Sequence, residues 1–78
     1  MKTTTVKGIE IKHVEDADSY PNDSTKLIKF KNNLNAYIQT EEIEFLKGII
    51  EGIKDGVVVP TKIVSTLSDT IEDNWAEL

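Results

Sequence analysis

The side chains that could perform catalysis are few, and they form no known catalytic or metal-binding motif. His13 is the one histidine, the chain has no cysteine, and its serines lie in no nucleophile-elbow sequence. Asp16 and Asp18 have the spacing of the first ligands of an EF-hand calcium loop. Pro21 and Leu27, however, stand where that loop requires glycine and glutamate. We therefore expect a non-enzymatic protein with no cofactor and no metal ion.

Charge is the most informative property of this composition. Of 78 residues, nine are lysine, none is arginine, and 14 are acidic, which gives a net charge of −5. Residues 1–40 carry six lysines against five acids, whereas residues 41–78 carry three lysines against nine acids. Arginine is the usual residue for bidentate contacts to phosphate and guanine. Nucleic acid is therefore an unlikely partner, and a protein with a basic surface is the expected one.

The acidic residues of the second half form the predicted partner-binding surface. Several of them stand near the end of the last predicted helix, where the helix dipole disfavours negative charge. Negative charges placed where the helix dipole disfavours them can mark a functional surface. The alternative is a solvated face that keeps a small protein in solution. The residues of the predicted acidic face are Asp69, Glu72, Asp73, Glu77, Glu44, Glu51 and Asp55.

The first half of the chain alternates apolar and polar residues, which predicts β-strands at about 4–14, 25–31 and 34–40. The last two strands are predicted to form a hairpin around Asn32-Asn33. For Ile28 and Phe30 to share a face with Leu34, that hairpin needs a loop of three or five residues.

The second half has helical periodicity, which predicts amphipathic helices at about 41–55 and 61–77. Thr40 is the expected N-cap of the first helix and Gly56 its C-terminal glycine. Residues 57–59 could add a short strand before Pro60. The predicted fold is a single α+β domain over 1–78, with a three-stranded antiparallel sheet followed by two amphipathic helices, in the order βββαα.

Glycines recur every four residues in the first of these helices. Gly48 and Gly52 lie beside Phe45 at the border of the apolar stripe, and each costs about 1 kcal/mol relative to alanine. One interpretation is tolerated poor propensity. The other is a shallow groove approached by the second helix, the 57–60 linker or a partner. Trp75 ends the stripe of the second helix and is a candidate interface anchor.

Asn35, Tyr37 and Gln39 would be the outward side chains of strand 34–40, which is followed by a capped helix, a short linker and a second helix. In this order of elements, residues 34–71 resemble the ribbon-helix-helix repressor unit. The resemblance implies a dimer whose paired strands enter the major groove of DNA.

The expected function is that of a small acidic protein-interaction module, similar to phage and mobile-element inhibitors. Such a protein would bind and block a larger nucleic-acid-handling protein through its acidic helical face. The alternatives are a ribbon-helix-helix-like DNA-binding regulator, which would be an obligate dimer, and a structural or assembly subunit. A homodimer is an open alternative to a heterologous partner. No segment approaches the roughly 20 apolar residues of a membrane span. We therefore expect no membrane partner and a cytoplasmic location, in the host cell if the protein is phage-encoded.

Overall fold

The chain begins with a tight β-hairpin. The computed structural model describes residues 1–78, in which β1 is Lys2–Val6 and β2 is Ile9–Val14. The two strands pair antiparallel, and Lys7 and Gly8 between them have φ values of 51° and 79°. Two successive positive φ values are typical of a type I′ turn, whose twist matches that of paired strands. The single strand predicted at 4–14 is therefore two strands. Lys-Gly is a weaker turn signal than Asn-Gly.

A short third strand makes the sheet mixed. β3, Val59–Pro60, pairs parallel to β2 with Val59 opposite His13, and the strand order is β1-β2-β3. The α+β class with a three-stranded sheet is confirmed, but the prediction that the sheet is antiparallel is wrong. Parallel neighbours need a crossover connection, and here residues 15–58 supply it with two helices.

One asparagine side chain forms two hydrogen bonds to the backbone just before β3. The Asn22 amide nitrogen donates to the Val58 carbonyl at 3.1 Å, and the Val58 N–H donates to the Asn22 side-chain oxygen at 2.9 Å. Val58 is 2% exposed. The Asn22 side chain thereby pairs with both backbone groups of a buried residue, as a neighbouring strand would.

Residues predicted as a β-hairpin form one long helix instead. α1 spans Ser24–Thr40, and the Asp23 side chain caps it by accepting from the Lys26 N–H at 3.0 Å. The strands predicted at 25–31 and 34–40, and the loop at Asn32-Asn33, are therefore wrong. Strand alternation places Ile28 and Phe30 on one face, but Phe30 is 3% exposed and Ile28 is 59% exposed.

The same correction removes the basis of the resemblance to ribbon-helix-helix repressors. Residues 34–40, which would be the DNA-contacting strand, are the last two turns of α1. Paired strands in a major groove cannot be built from a helical segment.

The two predicted amphipathic helices are present with shorter bounds. α2 spans Ile43–Lys54, and α3 spans Val64–Asp73 with a 3₁₀ turn before it and another after it, at Thr61–Ile63 and Trp75–Glu77. Three helices thus replace the expected two. Glu42, not Thr40, holds the N-cap position of α2, because α1 continues to Thr40 and the chain reverses at Glu41 with φ 56°. Gly56, with φ 101°, follows α2.

The core lies where α2 packs on the sheet. The largest fully enclosed side chains come from β2, α2, β3 and α3, and they are Ile11, Leu46, Ile49, Val59 and Ile71. α1 packs on another side of α2, while α3 lies beside β1. None of the helices combines the length and the apolar character that crossing a membrane requires.

Candidate partner-binding surface

All seven carboxylates of the predicted acidic face are exposed. They lie on the outer sides of α2 and α3 and in the segments that follow these helices. The structure contains one ion pair, between Lys2 Nζ and Glu15 Oε1 at 3.7 Å, and it involves none of the seven. Each of these carboxylates is therefore available to a positive charge from outside the chain.

The two helices differ in how much positive charge lies near their acids. Lys26 and Lys29 of α1 line a narrow cleft together with Glu51 and Asp55, and Lys26 Nζ donates to the Asp55 carbonyl at 3.4 Å. These lysines partly offset the acids of α2. The α3 segment contains Asp69, Glu72 and Asp73 and no lysine. The negative potential should therefore be stronger along α3 than along α2.

An open apolar groove of about 370 Å³ separates α1 from α3. Its lining includes Leu46 and Ile49 of α2, both 0% exposed. The two walls come from α1 and from the segment around α3. Their lining residues are Leu34, Tyr37, Ile38, Glu41, Ile63, Thr66, Leu67 and Thr70. Ile38 is 68% exposed although it is a large apolar side chain, so this wall presents unburied hydrophobic surface.

A polar contact links the two walls. The Asn74 amide nitrogen donates to the Thr70 carbonyl at 2.8 Å and lies 3.4 Å from the Tyr37 hydroxyl oxygen. Near Leu34 and Ile63 the groove continues into a second cleft of about 140 Å³ beside Leu27. The two clefts together follow the length of α1.

The predicted groove beside the glycines of α2 is filled by α1. A Cβ atom added at Gly48 would lie 2.6 Å from Asn33 Nδ2, and one added at Gly52 would lie 3.2 Å from Phe30 Cδ1. Another element does approach closely, but it is α1 and not the second predicted helix, the 57–60 linker or a partner. These glycines, beside the half-buried Phe45, belong to the α1–α2 contact.

The close approach predicts coupling between Gly48 and Asn33 in a double-mutant cycle. Gly48→Ala should change the free energy of unfolding of the wild-type chain by less than about 1 kcal/mol, because displacing the Asn33 side chain offsets part of the helix-propensity gain of about 1 kcal/mol. In the Asn33→Ala background the same change should stabilise the protein, because the obstructing side chain is gone. Urea unfolding of the four proteins measures both effects. An equal effect of Gly48→Ala in both backgrounds would contradict the contact.

Trp75, the predicted interface anchor, is 40% exposed. It borders an open cleft of about 290 Å³ with Leu78, Ile9 and Ile50. Lys47, Glu51 and Lys54 complete the lining, so this cleft has charges of both signs. It offers a smaller apolar surface than the α1–α3 groove and no predominance of one charge.

His13 has a structural environment. It is 5% exposed in the central strand, with Nε2 2.9 Å from the Thr4 hydroxyl and Nδ1 2.9 Å from the Thr61 hydroxyl. A neutral imidazole donates from one nitrogen and accepts at the other, so both partners are satisfied. The residue joins β1, β2 and the turn before α3. No group of three or more histidine, cysteine or acidic side chains is placed to hold a metal ion.

Sequence reasoning missed the α1–α3 groove because its α1 wall was assigned to strands. A helical pattern was nevertheless present, since Leu27, Phe30, Leu34 and Tyr37 recur at intervals of three and four residues.

Comparison of the chain with protein-family models, with curated proteins and with solved structures finds no match.

Proposed function

We propose that this protein acts by binding, as a small acidic interaction module that covers a basic surface of a larger protein. The partner class we favour is a cytoplasmic protein that handles nucleic acid, because such proteins have basic surfaces where phosphates bind. A carboxylate-rich helix placed on that surface would compete with the nucleic acid. This is the mode of action of an inhibitor of the phage or mobile-element kind.

The observation that supports this proposal is the unpaired acidic face of α3. Asp69, Glu72 and Asp73 are exposed, none has an ion-pair partner within the chain, and α3 supplies no lysine to offset them. Two of them lie in its last turn, where the helix dipole makes negative charge unfavourable. A basic partner would convert this local cost into attraction.

The proposal is tested by capture of partners from a native lysate, quantified by mass spectrometry. The test variant replaces three carboxylates with amides, as Asp69→Asn, Glu72→Gln and Asp73→Asn. Exposed charge pairs contribute about 0.2–1 kcal/mol each, so we expect recovery of a basic partner to fall about threefold or more. Recovery by the wild-type protein should also fall as salt rises.

A matched control removes three charges from the opposite half of the chain, as Glu10→Gln, Glu15→Gln and Asp16→Asn. These residues are exposed and lie on β2 and just after it. If the position of the charge matters, the control should capture the partner as well as the wild-type protein does. Equal loss of partner recovery in both variants, or recovery that does not change with salt, would indicate that the acidic face is only a solvated surface.

A further inference from the structure

One stripe of α1 has the spacing of a coiled-coil seam. Leu27, Lys31, Leu34 and Ile38 follow one another at intervals of four, three and four residues, and all four line the α1–α3 groove or its continuation. This interval pattern places side chains along a helix so that they interdigitate with a second helix. Leu27 and Leu34 are partly buried against the core, whereas Lys31 and Ile38 are exposed, so the seam is only partly covered by this chain.

The groove has the length of a short helical contact. From Leu27 to Ile38 the seam covers three helical turns, about 16 Å at 1.5 Å per residue. An amphipathic helix lying there would place its anchors at i, i+3 or i+4, and i+7, as in other helix-in-groove complexes. An extended strand, with its period of two residues, would not match a seam with this spacing.

The border of the groove is acidic. Glu41 lines it at the α1–α2 junction, and Asp18 lines its continuation. Asp69 and Asp73 lie three residues after Thr66 and Thr70, which form the α3 wall, and so stand on the neighbouring surface of that helix. Lys31 is the one basic residue among those that line the groove.

We propose that the α1–α3 groove binds a basic amphipathic helix of the partner protein. The apolar side of that helix packs on the accessible side chains of the seam, and its lysines or arginines face the carboxylates of the border. This inference rests on the proposed function, since it identifies the part of the partner that the acidic protein binds.

Lys31 adds a constraint on the register of the bound helix. It occupies one of the four seam positions, where a polar group sets register at some cost in stability. The bound helix should therefore present a carboxylate opposite Lys31 and apolar residues at its other seam positions. A second copy of this chain fits less well, because it brings its own net charge of −5 to an acidic border.

A synthetic peptide tests the inference without knowledge of the natural partner. It is a capped helix of about 21 residues, because isolated helices shorter than about 12–15 residues are marginal in water. Leucine occupies its seam positions except one, which is glutamate, while lysine fills one flank and alanine the rest. The control peptide has the same composition with the leucines redistributed around the helix. Binding is measured by fluorescence anisotropy of the labelled peptide.

Two exposed isoleucines of α1 supply the matched protein variants. Ile38→Ser removes an apolar side chain from the groove, and Ile28→Ser removes one that is 59% exposed and lies in neither cleft. We expect Ile38→Ser to weaken peptide binding at least tenfold, since burial of such a side chain contributes about 1.5–3 kcal/mol. Ile28→Ser should change it less than about twofold, because exposed sites contribute little.

Several outcomes would overturn the inference. They are no binding of the seam peptide, equal binding of the redistributed peptide, or equal loss in the two isoleucine variants. Light scattering of the protein alone can give a further outcome that overturns the inference. A mass twice 8.8 kDa that returns to 8.8 kDa in Ile38→Ser would assign the groove to a second copy. If a basic partner is captured through the α3 carboxylates and Ile38→Ser captures it equally well, the groove inference fails and the proposed function stands.

Discussion

Phe30→Ala should lower the free energy of unfolding by about 3–5 kcal/mol, the usual cost of truncating a buried aromatic side chain. Phe30 is 3% exposed and lies against Gly52 of α2, so its removal leaves a cavity in the α1–α2 contact. Small domains have little stability in reserve, and we expect a large unfolded fraction at 37 °C. Urea unfolding followed by circular dichroism measures the loss, and Phe30→Leu provides a milder variant if the alanine protein lacks a folded baseline.

The matched control for this prediction is Ile28→Ala. Ile28 is 59% exposed on the same helix, so its truncation should change stability by no more than about 0.5 kcal/mol. A β-hairpin over these residues would bury both side chains on one face and make both substitutions costly. Similar losses for Phe30→Ala and Ile28→Ala would therefore contradict the helical assignment of 24–40.

Asn22→Ala should destabilise the protein by about 2–4 kcal/mol. The substitution leaves the N–H and the carbonyl of the buried Val58 without their side-chain partners, and each unsatisfied buried group costs about 1–3 kcal/mol. Val58 immediately precedes β3, so we also expect the parallel pairing of Val59 with His13 to weaken. Unfolding midpoints, together with amide hydrogen exchange at Val58 and Val59, measure the two effects.

Asn32→Ala is the control for an asparagine that makes no such contact. Asn32 is exposed in the middle of α1, where alanine has the higher helix propensity, so this change should be neutral or stabilising. Asn22→Asp adds a sharper test. Its carboxylate can still accept from the Val58 N–H but cannot donate to the Val58 carbonyl. An Asn22→Asp protein as stable as the wild type would show that the second hydrogen bond is not needed.

The largest error in the predicted fold is the assignment of strands to residues 24–40, which form α1. This error has a physical cause. Alternation around Ile28 and Phe30 and a hairpin loop at Asn32-Asn33 favoured strands. Asp23 as an N-cap and the contact of Phe30 with Gly52 favour the helix. The second contribution depends on α2, so a local pattern could not supply it. The Asp23 cap and the helical spacing of Leu27, Phe30 and Leu34 were local signals that competed with the strand alternation, and packing on α2 favours the helix.

The later helices were more predictable because a single period governs each of them. α2 and α3 keep apolar residues at helical intervals, and buried Ile49 and Ile71 lie in the stripes expected from the sequence. β3 is different, because two residues are too few to establish a period. The buried residues 57–59 show as an apolar run, but nothing local specifies that they pair parallel to β2.

The candidate site likewise has one part that could be predicted from the sequence and one part that could not. Exposure of the acidic residues could be predicted, because charged side chains opposite an apolar stripe face water. The α1–α3 groove could not, since it exists only when α1 is helical and stands apart from α3. The unburied Ile38 became informative only once its helix and its neighbours were known.

The crossover from β2 to β3 determines how freely α1 can vary. A parallel pair needs one covering element, and α2 supplies it, since α2 is the helix that packs on β2. Closing a loop costs entropy that grows only with the logarithm of its length, and doubling the loop adds about 0.6 kcal/mol. Adding α1 to the connection is therefore inexpensive in chain entropy. Phe30 nevertheless anchors α1 to α2 in the core, so only the groove side of this helix could be altered to suit a new ligand while β2, α2 and β3 keep their arrangement.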